Sequence, residues 1–187
     1  VAVMGKTEGN GCVNDFTREY ASSAWCAWLS RALGLTEAEA GQRVALVMSG
    51  GTEGVLSPHF TVFTRRPAEP AGHGRRLVIG RAQTRDFAPD ELGRLAQVQA
   101  TSQAVRAAMA DAGITDAADV HFVQVKCPLL SSAKLATARQ PVTHDTYESM
   151  AYSRGASALG VALALGEVAA AELCDDTVCA DWQRHSS

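Results

Sequence analysis

The stretch Val1-Ala2-Val3-Met4-Gly5-Lys6-Thr7-Glu8-Gly9-Asn10-Gly11-Cys12-Val13-Asn14-Asp15, running on through residues 16–34 (FTREYASSAWCAWLSRALG), decides the fold. Val1 to Met4 is apolar and reads as a strand that delivers Lys6 into a loop. Thr7 to Asn14 is dense in Gly and Asn, the residues that turn a chain most readily. Asp15 or Thr17 can then cap a helix, because a short side-chain oxygen satisfies a free backbone N–H of the first turn. Trp25, Trp28, Leu29 and Leu33 predict a core-facing stripe on that helix, and Gly34 ends it. A strand, a loop and a long helix in this order predict α/β (α+β) layering.

Outward from there the alternation continues. Thr36 to Gln42 predicts a short acidic helical turn, and Arg43 to Met48 (RVALVM) a strand that runs into Ser49-Gly50-Gly51. Phe60 to Thr64 alternates and predicts a further strand. Residues 67–76 (PAEPAGHGRR) are rich in Pro and Gly and predict a linker. Beyond it, Leu77 to Thr84 predicts a strand. Asp90 to Gly113 predicts a long amphipathic helix with Leu92, Leu95, Val98, Val105 and Met109 inward. Val120 to Val125 (VHFVQV) predicts a strand ending on Lys126, followed by a short helix near Ala133. His144 to Ser153 reads as a polar approach to a buried, Ala- and Gly-rich helix that begins near Arg154.

Two stretches share one order of parts. In the first, an apolar strand ends on Lys6, a loop follows, and Arg18 opens an Ala/Ser-rich helix. In the second, a strand ends on Lys126, a longer loop follows, and Arg154 opens an Ala/Ser-rich helix. The first copy goes on to a strand and Ser49-Gly50-Gly51; the second reaches Ser187 before any such strand and serine. Residues 77–113, strand then helix, have no counterpart before Val1. The pattern divides the chain into a first repeat unit at 1–66 without its N-terminal part, a linker at 67–76, and a second unit at 77–187 without its C-terminal part. The mid-strand opening at Val1 points the same way and predicts residues upstream.

The bulk properties exclude several classes. The 187 residues carry a net charge of -3 with no basic stripe, so nucleic acid is not an expected partner. No apolar run approaches the roughly 20 residues a spanning helix needs, so no membrane is expected either. Five cysteines, at 12, 26, 127, 174 and 179, form no CxxC pair. They predict reduced thiols of a cytoplasmic protein rather than a disulfide framework or zinc site. No spacing of His, Cys, Asp or Glu predicts a metal.

A set of Lys, Arg and Ser can do acyl chemistry. Serine becomes a nucleophile when a neighbouring base takes its proton, and a lysine serves if its surroundings depress its pKa. An arginine near that lysine adds like charge and offers a planar fork of donors to a carbonyl. Ser-Gly-Gly after a strand leaves backbone N–H groups to face a developing oxyanion. Taken singly, a Lys at a strand end is usually a solvated edge residue, an Arg at a helix start a surface ion-pair partner, and Ser-Gly-Gly a turn. The duplication tips the balance toward chemistry for Lys6, Arg18, Ser49, Gly50, Lys126 and Arg154. His59 and His144 are polar loop candidates for shaping a site, and Glu8, Glu53 and Glu148 for orienting its cations.

The segments VMGKTEGNGCVNDFTREYA, VMSGGTEGVLSPHFTVF, HFVQVKCPLL and DTYESMAYSRGASALG resemble those of the cyanuric acid hydrolase and barbiturase family of ring-opening amidohydrolases, closer to the former. The resemblance runs nearly the whole chain. It implies three equivalent strand-helix units around a pseudo-threefold axis with a central active site, each giving a Lys, an Arg and a Ser. On that pattern Lys6, Arg18 and Ser49 belong to the first unit, Lys126 and Arg154 to the second, and the third is absent. It implies that the nucleophile paired with Lys126 is a serine on a strand beyond Ser187, with Ser49 and the Gly50 backbone polarising a substrate carbonyl. An alternative assignment makes Ser49 with Lys6 the attacking pair. The implied activity is hydrolysis of cyanuric acid to carboxybiuret and then biuret, without a cofactor, in a homo-oligomer. Barbituric acid is the alternative substrate. A non-catalytic ring-binding or assembly module is the alternative of another class, since the second serine is missing.

Overall fold

The computed structural model describes residues 2–51, 57–66, 77–181 and 183. The chain divides into two compact units, Val1–Arg81 and Ala82–Ser187. The expected linker at 67–76 lies outside the described residues.

In the first unit the opening apolar run becomes β1 (Ala2–Lys6), the centre of a three-stranded sheet. β2 (Ala45–Ser49) lies parallel to it and β3 (His59–Phe63) antiparallel. A parallel neighbour needs a crossover. Here the crossover is α1 (Phe16–Leu33) followed by α2 (Glu37–Arg43). Of the two cap candidates, Asp15 is the one used: its carboxylate accepts the Thr17 N–H. Gly34, at φ 66°, closes α1 in the left-handed conformation that glycine adopts freely. Thr36 and Glu39 form a reciprocal capping box at the start of α2.

Val3, Ala21, Leu29, Ala40, Val44 and Met48 form the core between helices and sheet, with Trp25 and Leu46 packed against it. The expected stripe on α1 is therefore half right. Leu29 is buried, but Trp28 and Leu33 are 54% and 55% exposed. The sheet has three short strands and covers only one face of α1. Trp28 lies off that face, edge-on to Trp25 with ring centroids 5.6 Å apart.

The second unit is helical. The predicted helix over 90–113 is broken: a 3-10 turn at Pro89–Glu91 precedes α3 (Leu95–Ala112). A short α4 (Ser132–Leu135) follows, then α5 (Glu148–Leu165). α3 and α5 pack through Val98, Ala156 and Leu159, joined by Leu173 and Val178. They approach closely at Gly160, where a Cβ would lie 2.6 Å from Thr101 Cβ.

Three expectations fail here. Neither 77–84 nor 120–125 is a strand. Val120 has extended dihedrals (φ -86°, ψ 111°), but a strand also needs a hydrogen-bonded neighbour, and none runs beside these segments among the described residues. Leu77 and Phe122 are accordingly 88% and 74% exposed. The third failure is the start of α5, six residues before Arg154. Asp145 accepts the N–H groups of Tyr147 and Glu148 at 2.7 and 2.9 Å, so the helix begins there. Two of the polar residues that disguise it, Ser149 and Ser153, are buried with partners. Ser149 Oγ accepts the Leu130 N–H at 3.1 Å, and the amide of Gln97 donates to Ser153 Oγ and Ser157 Oγ at 2.9 and 3.0 Å.

Candidate active site

The register of β1 on β2 sets Lys6 opposite Ser49. Both stand at the C-terminal ends of parallel strands, where the chain turns away and leaves side chains free to meet. Lys6 Nζ donates to Gly50 O at 3.0 Å and lies 3.4 Å from Ser49 Oγ. The Gly-rich loop folds back over this end: Thr7 N donates to Ser49 O at 2.9 Å, and Gly51 N to Gly9 O at 2.5 Å. Ser49 itself is exposed. Lys6, Ser49 and Gly50 thus form one cluster.

Arg18 lies in the first turn of α1, behind the same loop. Its Nη2 donates to Cys12 O and its Nε is 3.5 Å from Asp15 Oδ2. Asp15 is the residue that sequence reasoning undervalued. Read only as a possible helix cap, it is shielded from solvent and accepts from Gly11 N at 2.9 Å, Thr17 N at 3.0 Å and Thr17 Oγ1 at 2.5 Å. Thr17 Oγ1 in turn reaches Thr7 Oγ1 at 2.8 Å. Burial works to raise the Asp15 carboxyl, but the Thr17 hydroxyl, the two N–H donors and the Arg18 charge outweigh it and hold it below its ordinary value.

In the second unit Lys126 and Arg154 line different concavities. Lys126 is exposed beside one of about 490 Å³, together with Arg85, Asp86, Phe87, Cys127 and Lys134. Arg154 projects from the second turn of α5 into another of about 530 Å³, beside Glu148, Tyr152 and Cys179. Neither cation makes a hydrogen bond or ion pair with the described residues, unlike Arg85, which pairs with Glu91 at 2.5 Å and stacks 5.3 Å over Phe87. Glu148 accepts the Thr143 hydroxyl at 2.5 Å, and His59 Nδ1 lies 2.7 Å from Ser57 O. Glu53 falls outside the described residues. All five cysteines are free thiols. Among the described residues no group of three His, Cys, Asp or Glu side chains is placed to hold a metal, and no helix is long and apolar enough to cross a membrane.

A lysine beside a serine on adjoining strand ends, with two glycines after the serine, is an arrangement that can offer donors to a carbonyl oxygen. A family model described as amidohydrolase ring-opening protein matches residues 1–187. The chain belongs to that family. It is 62% identical over 193 residues to the cyanuric acid amidohydrolase of Pseudomonas sp. (strain ADP), across all of this chain and 53% of that protein. It is 53% identical over 192 residues to the cyclic amide hydrolase of Azorhizobium caulinodans, across all of this chain and 52% of that protein. A solved cyanuric acid hydrolase, described as an evolutionary innovation by structural concatenation, superposes with a TM-score of 0.93 at 62% identity, over 98% of this chain and 52% of that one. The cyanuric acid hydrolase of A. caulinodans gives 0.87 at 53% identity, over 98% and 51%. The chain thus spans about half the length of the family members it matches.

Proposed function

We propose that this chain contributes two units to a ring-opening hydrolase that acts on cyanuric acid. The carrying observation is the pairing of Lys6 with Ser49 and Gly50 at the ends of β1 and β2. High identity to cyanuric acid amidohydrolases supports the substrate. On this reading the units surround the ring with a pseudo-threefold set of Lys, Arg and Ser, and the enzyme works as a cytoplasmic homo-oligomer.

Lys126 takes the proton of a second-unit serine, and no Ser-Gly-Gly stretch within residues 82–187 supplies one. The serine oxygen bonds to a ring carbonyl carbon. The oxyanion that forms is held by hydroxyl and N–H donors, among them Ser49 and the backbone at Gly50. The ring C–N bond breaks, and its nitrogen takes the proton back from Lys126. Water then cleaves the acyl-enzyme to carboxybiuret, which loses carbon dioxide to give biuret. Arg18 and Arg154 orient the remaining carbonyls through their planar forks.

The test is a paired assay of the full-length protein on cyanuric and barbituric acid, following ring loss and product. Biuret from cyanuric acid supports the proposal. Turnover of barbituric acid alone would move the substrate to the pyrimidine ring. Binding without turnover of either would make the protein a ring-binding module.

A further inference from the structure

Helix capping does not account for the contacts of Asp15. A cap needs one oxygen on one N–H of the first turn, and Oδ1 on Thr17 N supplies that. The second oxygen does something else. Oδ2 accepts from Gly11 N at 2.9 Å and faces Arg18 Nε at 3.5 Å. The carboxylate is also wrapped by backbone. A Cβ added at Gly9 would lie 1.8 Å from Oδ1, and one at Gly50 would lie 1.7 Å from Oδ2. No side chain fits at either place while the carboxylate is there. The glycines of the loop and of the turn after β2 are therefore packed on Asp15 from two sides. Gly50 in turn gives its carbonyl to Lys6. One run of contacts joins the buried carboxylate, the Gly50 peptide and the Lys6 ammonium.

We infer that Asp15 is a positioning residue for the Lys6–Ser49–Gly50 cluster, fixing the Gly50 peptide and Arg18 in the one arrangement that presents them to substrate. This rests on reading the cluster as the substrate-binding part of a hydrolase. Displacing a reacting or binding group by about 1 Å can cost 100-fold in rate, and Asp15 Oδ2 is the atom that a Cβ at Gly50 would meet first.

The decisive variant is Asp15→Ser in the full-length protein. Serine caps helices as well as aspartate does, but it is too short to reach Gly11 N and Arg18 as well. Its kcat/KM on cyanuric acid is expected to fall about 100-fold, alongside a lower melting temperature, because Gly11 N and Arg18 lose their acceptor. Amide hydrogen exchange in the peptide spanning Ser49–Gly51 is expected to accelerate. Asp15→Asn keeps both volume and cap, and is expected to move both readouts in the same direction by a smaller factor. It decides the matter if the serine variant does not fold. Parental kcat/KM and parental exchange in a folded variant would overturn the inference, leaving Asp15 a plain cap. If the parent protein itself fails to open cyanuric acid, the proposed function falls, and exchange at Ser49–Gly51 alone decides the role of Asp15.

Discussion

Lys6 and Ser49 are direct partners in the parallel register of β1 and β2, and Nζ lies 3.4 Å from Oγ across a sequence separation of 43 residues. The same ammonium holds Gly50 O at 3.0 Å. Ser49 is exposed, so its hydroxyl supports no packing. Ser49→Ala in the full-length protein should lower kcat/KM about 100-fold or more, the usual effect of losing one oxyanion donor. Its unfolding midpoint should match the parent. An unchanged kcat/KM would remove Ser49 from the substrate's contacts.

Lys126 stands exposed at its concavity with no ion-pair partner among the described residues. Such a side chain contributes little to folding, typically within about 0.5 kcal/mol. Lys126→Ala should therefore fold normally while losing about 10²–10⁴-fold in kcat, the range for a general base. Steady-state kinetics on the folded variant give the answer, and near-normal turnover would sink the assignment.

Gly160 sits where α5 meets α3. Replacing it by alanine raises helix propensity by about 1 kcal/mol. Against that, the new Cβ would lie 2.6 Å from Thr101 Cβ and 2.7 Å from Val98 O. Overpacking of a core commonly costs about 1–3 kcal/mol, and a backbone carbonyl cannot swing aside. Gly160→Ala should be destabilising in net, by about 1 kcal/mol or more, read as a lower denaturant midpoint.

The Arg85 hydrogen bond, helped by the Ala88 N–H and opposed by partial burial, holds Glu91 down to about 2 from an ordinary 4.5. A depressed carboxylate stabilises the fold above its unfolded pKa and loses that contribution as pH falls through the folded one. The window is therefore about pH 4.5 down to 2. Arg85 is more than half exposed, so solvent screening keeps the contribution small. Urea midpoints of the parent and Glu91→Gln should differ at neutral pH and converge across this window. A gap that stays constant to pH 2 would show that Glu91 acts through packing instead. Asp15, also lowered, leaves both proteins some acid sensitivity.

Local signals in the sequence were read well where the structure answers them locally. Asp15 before α1, Gly34 after it and the helical turn from Thr36 are neighbours in sequence and act on their own turns. Signals that depend on distant partners were misread. VHFVQV alternates like a strand, yet alternation says which faces differ, and the ladder must come from elsewhere. The start of α5 was hidden because Ser149 and Ser153 look solvated in sequence, whereas Leu130 and Gln97 take up their hydroxyls inside the fold. In the candidate site, the strand-end Lys6 and the turn at Ser49 were legible from pattern. What Asp15 does was not, because its contacts to Gly11 and Gly50 converge only after β2 has come back beside β1.

That return has a kinetic consequence. β1 has no partner close by in sequence; its parallel neighbour is 43 residues downstream and its antiparallel neighbour lies farther still. Closing so long a loop must precede any reward from the ladder, which slows the search. During synthesis β1 is made early and must wait while α1 and α2 form. Those helices, each with its own cap, can order locally, whereas the strand that carries Lys6 gains its ladder only once β2 and β3 arrive beside it.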